Sequence, residues 1–428
     1  MSSAWSSWLK VYRDRRLLIT LFLGFSSGLP LLLTAGTLSA RLLEAGITKT
    51  VIGLFAFAAS AYTLKFLWSP IVDQMPLPLL TGRFGQRRAW MLVAQALLIV
   101  GLVGLGFTDP AAGLRSTVMW AVVVAFASAT QDLAIDAYRI ELLDASQLGA
   151  GAAMNSVGYR VALLVAGGGA LILAQLIGWS GAYVAMAVLT AVGFITALVA
   201  PTAPTSVTPV TGGYGVWMHH AVVEPLADFL KRPGWLLIFA FIPLYKYAEG
   251  LIGIMANPFY LEIGFTKVEI GLISKTYGFA MTVVGGLMGG ALVARMGIMR
   301  TLLLGSILQI AANLVFAAQA VIGHSIPALM VTISVDNISN GIAGVASIAF
   351  LSSLCNKAYT ATQYALLTAF MAFARTVLSS GGGWLADQLG WVKYFLTISL
   401  AALPGLVLLL IIMRRFPDLD VSRAPKKA

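Results

Sequence analysis

The stretch at residues 48–54 reads TKTVIGL, and residues 266–272 read TKVEIGL. Further matches follow in the same order and at a nearly constant spacing: Gln147, Arg160, Gly167–Gly169 and Gly178-Trp179 recur as Gln363, Arg375, Gly381–Gly383 and Gly390-Trp391. Several matched features in one register are poorly explained by coincidence. The chain is therefore predicted to contain two copies of one folding unit.

Long apolar runs recur from one end of the chain to the other. The 428 residues are 59% hydrophobic and 11% charged, whereas an average soluble domain carries about 25% charged residues. Twelve runs, from Leu17–Leu38 to Tyr394–Met413, each have the length of about 20 residues that crosses a bilayer. This pattern excludes a single soluble core and predicts an all-α protein with twelve transmembrane helices.

The net charge of +11 is distributed unevenly along the chain. An even number of spans places both termini on one side, and most basic residues outside the spans fall on that side. The other side receives only five: Arg41, Lys49, Arg115, Lys267 and Lys393. By the positive-inside rule both termini are cytoplasmic. The excess of basic residues thus reflects the orientation of the protein in the membrane, and no nucleic-acid partner is predicted.

One long polar break, rich in Pro, Thr, Val and Gly, lies almost halfway along the chain. It divides an N-terminal six-helix bundle, 1–200, from a C-terminal six-helix bundle with a basic tail, 234–428. Within the linker, 201–233, the segment Val216–Lys231 is predicted to lie as an amphipathic helix on the cytoplasmic membrane surface. Six spans per copy preserve orientation, so the copies are parallel repeats, as in the major facilitator fold.

Ten charged residues fall inside the predicted spans: Lys65, Arg139, Arg160, Lys246, Lys275, Arg375, Asp132, Asp136, Glu249 and Asp336. Each costs about 2.5–3.5 kcal/mol at a helix centre on insertion scales. For any single residue, structural pairing between helices explains the charge equally well. For the whole set, a polar path for substrate or protons is favoured, with binding at the midplane between the halves.

Three of these charges form a stripe on the fourth span. Asp132, Asp136 and Arg139 are spaced by four and three residues and share one helix face. The two carboxylates repel each other, which favours protonation of one of them. We therefore predict that Asp132, Asp136 and, beside Lys246 in the seventh span, Glu249 carry the coupling protons.

The positive charges indicate an anionic substrate. Arg160 and Arg375 occupy equivalent places in the two copies, and guanidinium groups bind carboxylate or phosphate in bidentate fashion. The alternative is that Arg160 neutralises Asp132 or Asp136. With neighbouring aromatic and amide residues, the predicted substrate-binding set is Lys65, Tyr62, Gln131, Arg139, Tyr159, Arg160, Lys246, Lys275 and Arg375.

Asp73 ends the second span, and the pattern Gly82-Arg83-x-Gly85-x-Arg87-Arg88 follows it. The segment is a stretched form of the loop between the second and third spans of facilitator proteins. Asp73, Arg83, Arg87 and Arg88 are accordingly predicted to lock a closed state.

One cysteine and three scattered histidines predict no metal site. Without a nucleophile–base pair, neither an enzyme nor a cofactor other than the coupling proton is expected.

Several of these stretches resemble the AmpG muropeptide permease family. They are Gly24-Phe-Ser-Ser-Gly28-Leu-Pro30-Leu, Tyr62-Thr-Leu-Lys65-Phe-Leu-Trp68-Ser-Pro70, Gln131-Asp132-x-x-x-Asp136-Ala137, Gly149-Ala-Gly-Ala, Gly158-Tyr159-Arg160, Leu244-Tyr245-Lys246 and Leu354-Cys355-Asn356-Lys357 followed by Ala361-Thr362-Gln363. The likeness runs from about residue 16 to residue 412. Two departures are Glu249, where an Asp is usual, and a basic tail where some members have two further helices.

The resemblance implies a proton-coupled transporter in the inner membrane of a Gram-negative bacterium, and we expect the protein to be a monomer. It implies import of 1,6-anhydromuropeptides (GlcNAc-anhydroMurNAc-peptides) from periplasm to cytoplasm for peptidoglycan recycling. Such a bulky anionic sugar-peptide fits the cationic excess. Alternatives are another anionic cargo, such as an acetyl-CoA-like molecule, a peptide or a siderophore, and a membrane sensor that binds without transport.

Overall fold

The computed structural model describes residues 10–48, 51–52, 60–204, 213–379 and 381–416. All regular structure in these ranges is helical. Parts of the predicted features fall outside them: Lys49 and the Gly53-Leu54 pair of the first repeat copy, part of the second predicted span, residues 205–212 of the linker and the basic tail.

The helices of the first half extend to residue 199. They are α1 (Arg15–Leu33), α2 (Gly36–Glu44), α3 (Ser60–Leu64), α4 (Ser69–Gln74), α5 (Leu80–Phe84), α6 (Gln86–Phe107), α7 (Leu114–Leu142), α8 (Leu148–Leu164) and α9 (Ala170–Val199). A π-helical turn, Val165–Gly169, joins α8 to α9.

The linker and second half follow the same plan. The linker contains α10 (Tyr214–Met218) and α11 (Glu224–Leu230), and then come α12 (Trp235–Glu262), α13 (Lys267–Glu269), α14 (Gly278–Met296), α15 (Ile298–Ile322), α16 (Ile326–Ser353), α17 (Thr360–Ser379), α18 (Gly382–Ala401) and α19 (Leu403–Arg415). Among the described residues, nine segments are long and apolar enough to cross a membrane.

Glycines with positive φ mark equivalent bends in the two halves. Gly85 and Gly297, each preceding a long helix, have φ of 81° and 93°. Gly178 and Gly390 interrupt α9 and α18 with φ of 76° and 67°. Glycine is the residue that adopts this left-handed backbone without a steric penalty. The sequence repeat is therefore also a repeat of backbone conformation.

The same symmetry extends to side chains beside the second pair of glycines. The indole Nε1 of Trp179 donates to Glu44 at 2.7 Å, and Trp391 donates to Glu262 at 2.7 Å. In each half this bond ties the end of the first long helical segment to the bend that leads into the last one. Chance resemblance between the halves would not reproduce the same polar contact between equivalent helices in both of them.

Small residues bring the long helices of each half into backbone contact. A Cβ at Gly158 of α8 would lie 2.0 Å from the carbonyl oxygen of Leu21 in α1. In the second half, a Cβ at Gly285 of α14 would lie 2.4 Å from the carbonyl oxygen of Ile338 in α16. Without a hydrophobic driving force in lipid, helices associate through close packing of this kind.

The two halves touch each other at one end of the bundle, which we call the terminal face because α1 begins and α19 ends there. Val293 of α14 fits against Gly149 of α8, where a Cβ would be 2.3 Å from it. The Tyr12 hydroxyl, just before α1, donates to the carbonyl oxygen of Leu287 at 2.6 Å. Tight contact at this end closes the space between the halves.

The linker helix packs on the terminal face instead of bridging the halves loosely. Gln363 of α17 donates to Asp228 of α11 at 2.8 Å, and Asn356 donates to the same carboxylate at 3.1 Å. Burial opposes the ionisation of Asp228, but these donors and Arg232 outweigh it and lower its pKa. The linker is therefore fastened to the first turn of α17 by a charged, well-satisfied contact.

Replacing Gly158 by alanine should weaken the α1–α8 contact, because the new methyl group has no room beside Leu21. Overpacking of this kind costs about 1–3 kcal/mol. We expect a lower apparent melting midpoint of the purified protein in detergent. Gly344→Ala is the matched control, since nothing lies within 4 Å of a Cβ there; equal midpoints for the two variants would contradict the packing described.

Candidate functional site

The stripe on α7 meets partners from two other segments of the first half. The Ser27 hydroxyl donates to Asp132 at 2.6 Å. Lys65 Nζ lies 3.9 Å from one oxygen of Asp136, and Arg139 lies 3.5 Å from the other. The side chains of Lys65 and Asp136 retain 14% and 20% exposure. Asp136 thus sits between two cations at a position that water reaches.

A second polar group is built on α12, α15 and α16 of the other half. Lys246 and Glu249, one helical turn apart, form an ion pair. Gln309 donates to Glu249 at 3.4 Å and to Asn340 at 3.1 Å, and Asn340 donates to Asp336 at 3.0 Å. The amides link the two acids in one hydrogen-bonded chain.

Arg160 of α8 connects the first half to this second group. It interacts electrostatically with Glu249, across the boundary between the halves. Tyr159, its neighbour in sequence, lies within electrostatic range of Asp132 and Asp136. The Tyr159-Arg160 dipeptide therefore lies within electrostatic range of both polar groups.

Tyr62 lies beside Asp132, with which it interacts electrostatically. Gln131 is fully buried, donates to the backbone oxygen of Ser26 and accepts from its hydroxyl, both at 2.9 Å. It faces away from Asp132, because neighbouring residues on a helix point in different directions. The structure thus places Gln131 in the α1–α7 contact and not in the space between the halves.

One predicted cation joins neither group, and another cannot be placed. Lys275 is exposed in the π-helical segment Ile270–Tyr277, and the side chain of Arg375 lies outside the described residues. The side chains that do converge are four cations and four acids: Lys65, Arg139, Arg160, Lys246, Asp132, Asp136, Glu249 and Asp336. The cationic excess predicted from sequence depends on Lys275 and Arg375.

Asp73, at the end of α4, docks onto the start of α17 in the opposite half. Its two carboxylate oxygens accept backbone N–H bonds from Ala361 at 3.1 Å and Thr362 at 2.7 Å, and the Thr362 hydroxyl donates at 2.6 Å. The first N–H groups of a helix have no partner within the helix and carry partial positive charge. A carboxylate from one half therefore caps a helix of the other.

The predicted gating residues separate into three kinds of contact. Arg87 lies 2.7 Å from both Asp73 and Glu141, fully buried between them. Arg88 instead donates to the backbone oxygens of Ala197 and Leu198 at the end of α9, so it holds the first half together. Arg83 is exposed and packs over Phe84. Of the three arginines, Arg87 is the one that joins Asp73 in the contact between halves.

Arg139 forms a second bridge between the halves, one step nearer the polar groups. It donates to Ser352 at 3.3 Å and to the hydroxyl of Tyr364 at 3.2 Å, both in the opposite half. It is 1% exposed. The same guanidinium also contacts Asp136. Arg139 therefore connects the charge of Asp136 to the contacts that close the terminal face.

Several residues of the site were not predicted. They are Ser27, Gln309 and Asn340, which are uncharged, and Glu141, which lies near the end of α7. The signal that could have found Gln309 and Asn340 is an amide within an apolar span, since such groups require a hydrogen-bond partner in lipid. Thr362 and Tyr364 carry no signal of this kind because their partners come from the opposite half.

The sequence model of the Major Facilitator Superfamily matches residues 17–247 and 244–428. The chain belongs to this superfamily. It is 40% identical to the anhydromuropeptide permease of Escherichia coli (strain K12), over 95% of this chain and 81% of that protein. It is 33% identical to a putative transporter, AmpG 4, of Rickettsia felis, over 95% of this chain and 98% of that one.

Two solved structures share the fold. A proton:xylose symporter, XylE, bound to 6-bromo-6-deoxy-D-glucose aligns with a TM-score of 0.63 at 13% identity, over 96% of both chains. The human organic anion transporter MFSD10 (TETRAN) aligns with a TM-score of 0.63 at 15% identity, over 92% of this chain and 99% of that one. The predicted major facilitator fold and AmpG family membership are confirmed, and the protein is a transporter, not an enzyme.

Asp73→Asn should loosen the terminal face. The amide keeps one acceptor but loses the charge that binds Arg87 and the start of α17, and hydrogen bonds to charged groups contribute about 1.5–3 kcal/mol. Spin labels on Arg83→Cys and Lys357→Cys, in a Cys355→Ser background, should gain a longer-distance population. Asp109→Asn, an exposed acid before α7, should leave the distances unchanged. Identical distributions for all three proteins would show that Asp73 does not hold the halves together.

Proposed function

We propose that this AmpG-family protein imports 1,6-anhydromuropeptides from the periplasm into the cytoplasm of a Gram-negative bacterium, driven by protons, for peptidoglycan recycling. The identity of 40% to a permease named for that substrate, over 95% of the chain, supports the cargo. The positive-inside distribution of basic residues supports an inner-membrane location with cytoplasmic termini. The protein would act as a monomer, with both halves of the site in one chain.

The observation that carries the proposal is the electrostatic interaction of Arg160 with Glu249, which also forms an ion pair with Lys246. A carboxylate of the sugar-peptide would compete with Glu249 for these two cations, since guanidinium and ammonium groups bind carboxylates well. The displaced Glu249 would then gain from taking up a proton, because an unpaired charge is costly at this depth. Substrate binding and protonation would thereby favour each other.

The terminal face is closed by contacts of Asp73 and Arg139 with the opposite half. With cytoplasmic termini, this closed arrangement would be the state that receives substrate from the periplasm. Asp136 stabilises the closed state by holding the Arg139 guanidinium, which bridges to Ser352 and Tyr364. A proton on Asp136 would remove this attraction and let the halves rock apart at the cytoplasmic end. Asp132, one turn deeper and bonded to Ser27, would pass the proton along the stripe.

Gradient-driven uptake tests the function directly. Proteoliposomes with an inward proton gradient should concentrate GlcNAc-anhydroMurNAc-tetrapeptide above the external level, because the proton gradient supplies the driving force. A protonophore should reduce accumulation to equilibration. Uptake that ignores the gradient would refute proton coupling, and saturable binding without uptake would indicate a sensor. Stronger competition by acetyl-CoA or a free peptide than by the muropeptide would assign another anionic cargo.

Asp136→Asn should abolish accumulation against a gradient while the protein stays folded. The amide cannot cycle between charged and neutral forms, so coupling is lost, whereas exchange of labelled for unlabelled muropeptide across the membrane should continue. The measurement is uptake and counterflow in the same vesicles, with Asp109→Asn as the exposed-acid control. A variant that still concentrates the muropeptide as the unmodified protein does would exclude Asp136 as the proton carrier.

A further inference from the structure

A cavity of about 240 Å³ lies between the linker helix α11, the first turns of α12 and the start of α17. Its walls are hydrocarbon and aromatic: Leu226 and Phe229 come from α11, Phe239 from α12, and Leu366 and Phe370 from α17. The cavity lies at the edge of the terminal face, outside the space between the halves. The transport site makes no use of it.

The cavity offers no polar contact to an occupant. Gln363 is its one polar lining residue, and both the NH2 group and the carbonyl oxygen of its side chain already have partners. The NH2 group donates to the backbone oxygen of Pro225 at 3.0 Å and to Asp228 at 2.8 Å, and the oxygen accepts from the backbone N–H of Asn356 at 2.7 Å. Apolar cavities of about 150 Å³ stay dry and take up benzene. An occupant of this larger space must therefore be a hydrocarbon.

The walls are held in place before any occupant arrives. The rings of Phe239 and Phe370 stand 4.5 Å apart, and those of Phe229 and Phe239 are 5.6 Å apart in an edge-to-face arrangement. The Asp228–Gln363 bond fixes α11 against α17. The cavity, which opens as a groove toward the membrane surface, is thus formed by fixed contacts of the fold and not by a loosely placed linker.

Basic residues lie beside the cavity at the membrane surface. Lys231 and Arg232 directly follow α11; Lys231 is exposed, whereas Arg232 forms an ion pair with Asp228 at 3.0 Å. A Cβ at Gly234 would lie 2.3 Å from the ring of Phe416, so the end of α19 stands beside the start of α12. This contact brings the exposed Arg414 and Arg415 to the same corner.

We infer that this cavity binds one acyl chain of an anionic phospholipid from the leaflet at the terminal face, with its headgroup among Lys231, Arg414 and Arg415. The apolar cavity supplies the site for the acyl chain, and the three exposed basic residues supply the charge complementarity. Leu226 and Leu230 are 43% and 48% exposed at its rim. They continue the apolar surface from the groove to the surrounding bilayer.

Photo-crosslinking of the full chain in nanodiscs tests the inference. The probes are phosphatidylglycerol and phosphatidylethanolamine that carry the same diazirine-labelled acyl chain, and mass spectrometry locates the adducts. We expect the phosphatidylglycerol probe to label peptides containing Leu226, Phe239 and Leu366 several-fold more than the phosphatidylethanolamine probe. Equal labelling by both probes, or labelling spread evenly over the lipid-facing helices, would mean ordinary boundary lipid and overturn the inference.

Two kinds of variant test the binding of the acyl chain and the binding of the headgroup separately. Leu366→Trp fills the groove and should reduce labelling there several-fold, whereas Leu314→Trp, on an exposed face of α15, should not. If Leu366→Trp folds poorly, Leu226→Trp on the linker helix serves instead. Lys231→Gln combined with Arg415→Gln should remove the preference for phosphatidylglycerol, and the exposed Arg115→Gln should keep it. Unchanged labelling in the filled groove, or unchanged preference without the two cations, contradicts the inference.

Discussion

An ionised side chain cannot remain unpaired in hydrocarbon, and this constraint organises the protein. At about 2.5–3.5 kcal/mol each, the eight described charges that converge within the bundle would together exceed the stability of a typical domain. Pairing and partial hydration reduce this cost: Asp136 lies between Lys65 and Arg139, and Glu249 lies beside Lys246. The helices are rotated so that these faces meet between the halves.

The same requirement explains how the terminal face closes. Asp73 is buried and anionic, and it is satisfied by Arg87 and by the first backbone N–H groups of a helix from the opposite half. Opening this face exposes both the carboxylate and the helix start, and water can then satisfy them. The contact is therefore strong while water is excluded from the terminal face, and hydrogen bonds to water replace it readily once that face opens. An alternating gate requires this behaviour.

In the proposed cycle, Arg139 links the proton to the gate. It is fully buried, touches Asp136 in its own half and bonds to Tyr364 in the other. A change in the charge of Asp136 alters the balance of forces on Arg139 without any long relay of movements. In the same proposal Arg160 would have the corresponding place for the substrate, since it interacts electrostatically with Glu249 across the boundary.

The sequence by itself determined the membrane spans, the duplication and the charges that lie within the spans. It also determined the stripe of Asp132, Asp136 and Arg139, because a helix with 3.6 residues per turn fixes which side chains share a face. Only the tertiary structure decided that Gln131 faces α1, that Arg160 comes within electrostatic range of Glu249 and that Asp73 caps α17. These pairings depend on the rotation and depth of each helix relative to its neighbours. Packing of many small contacts sets those quantities, and no local spacing in the chain encodes them.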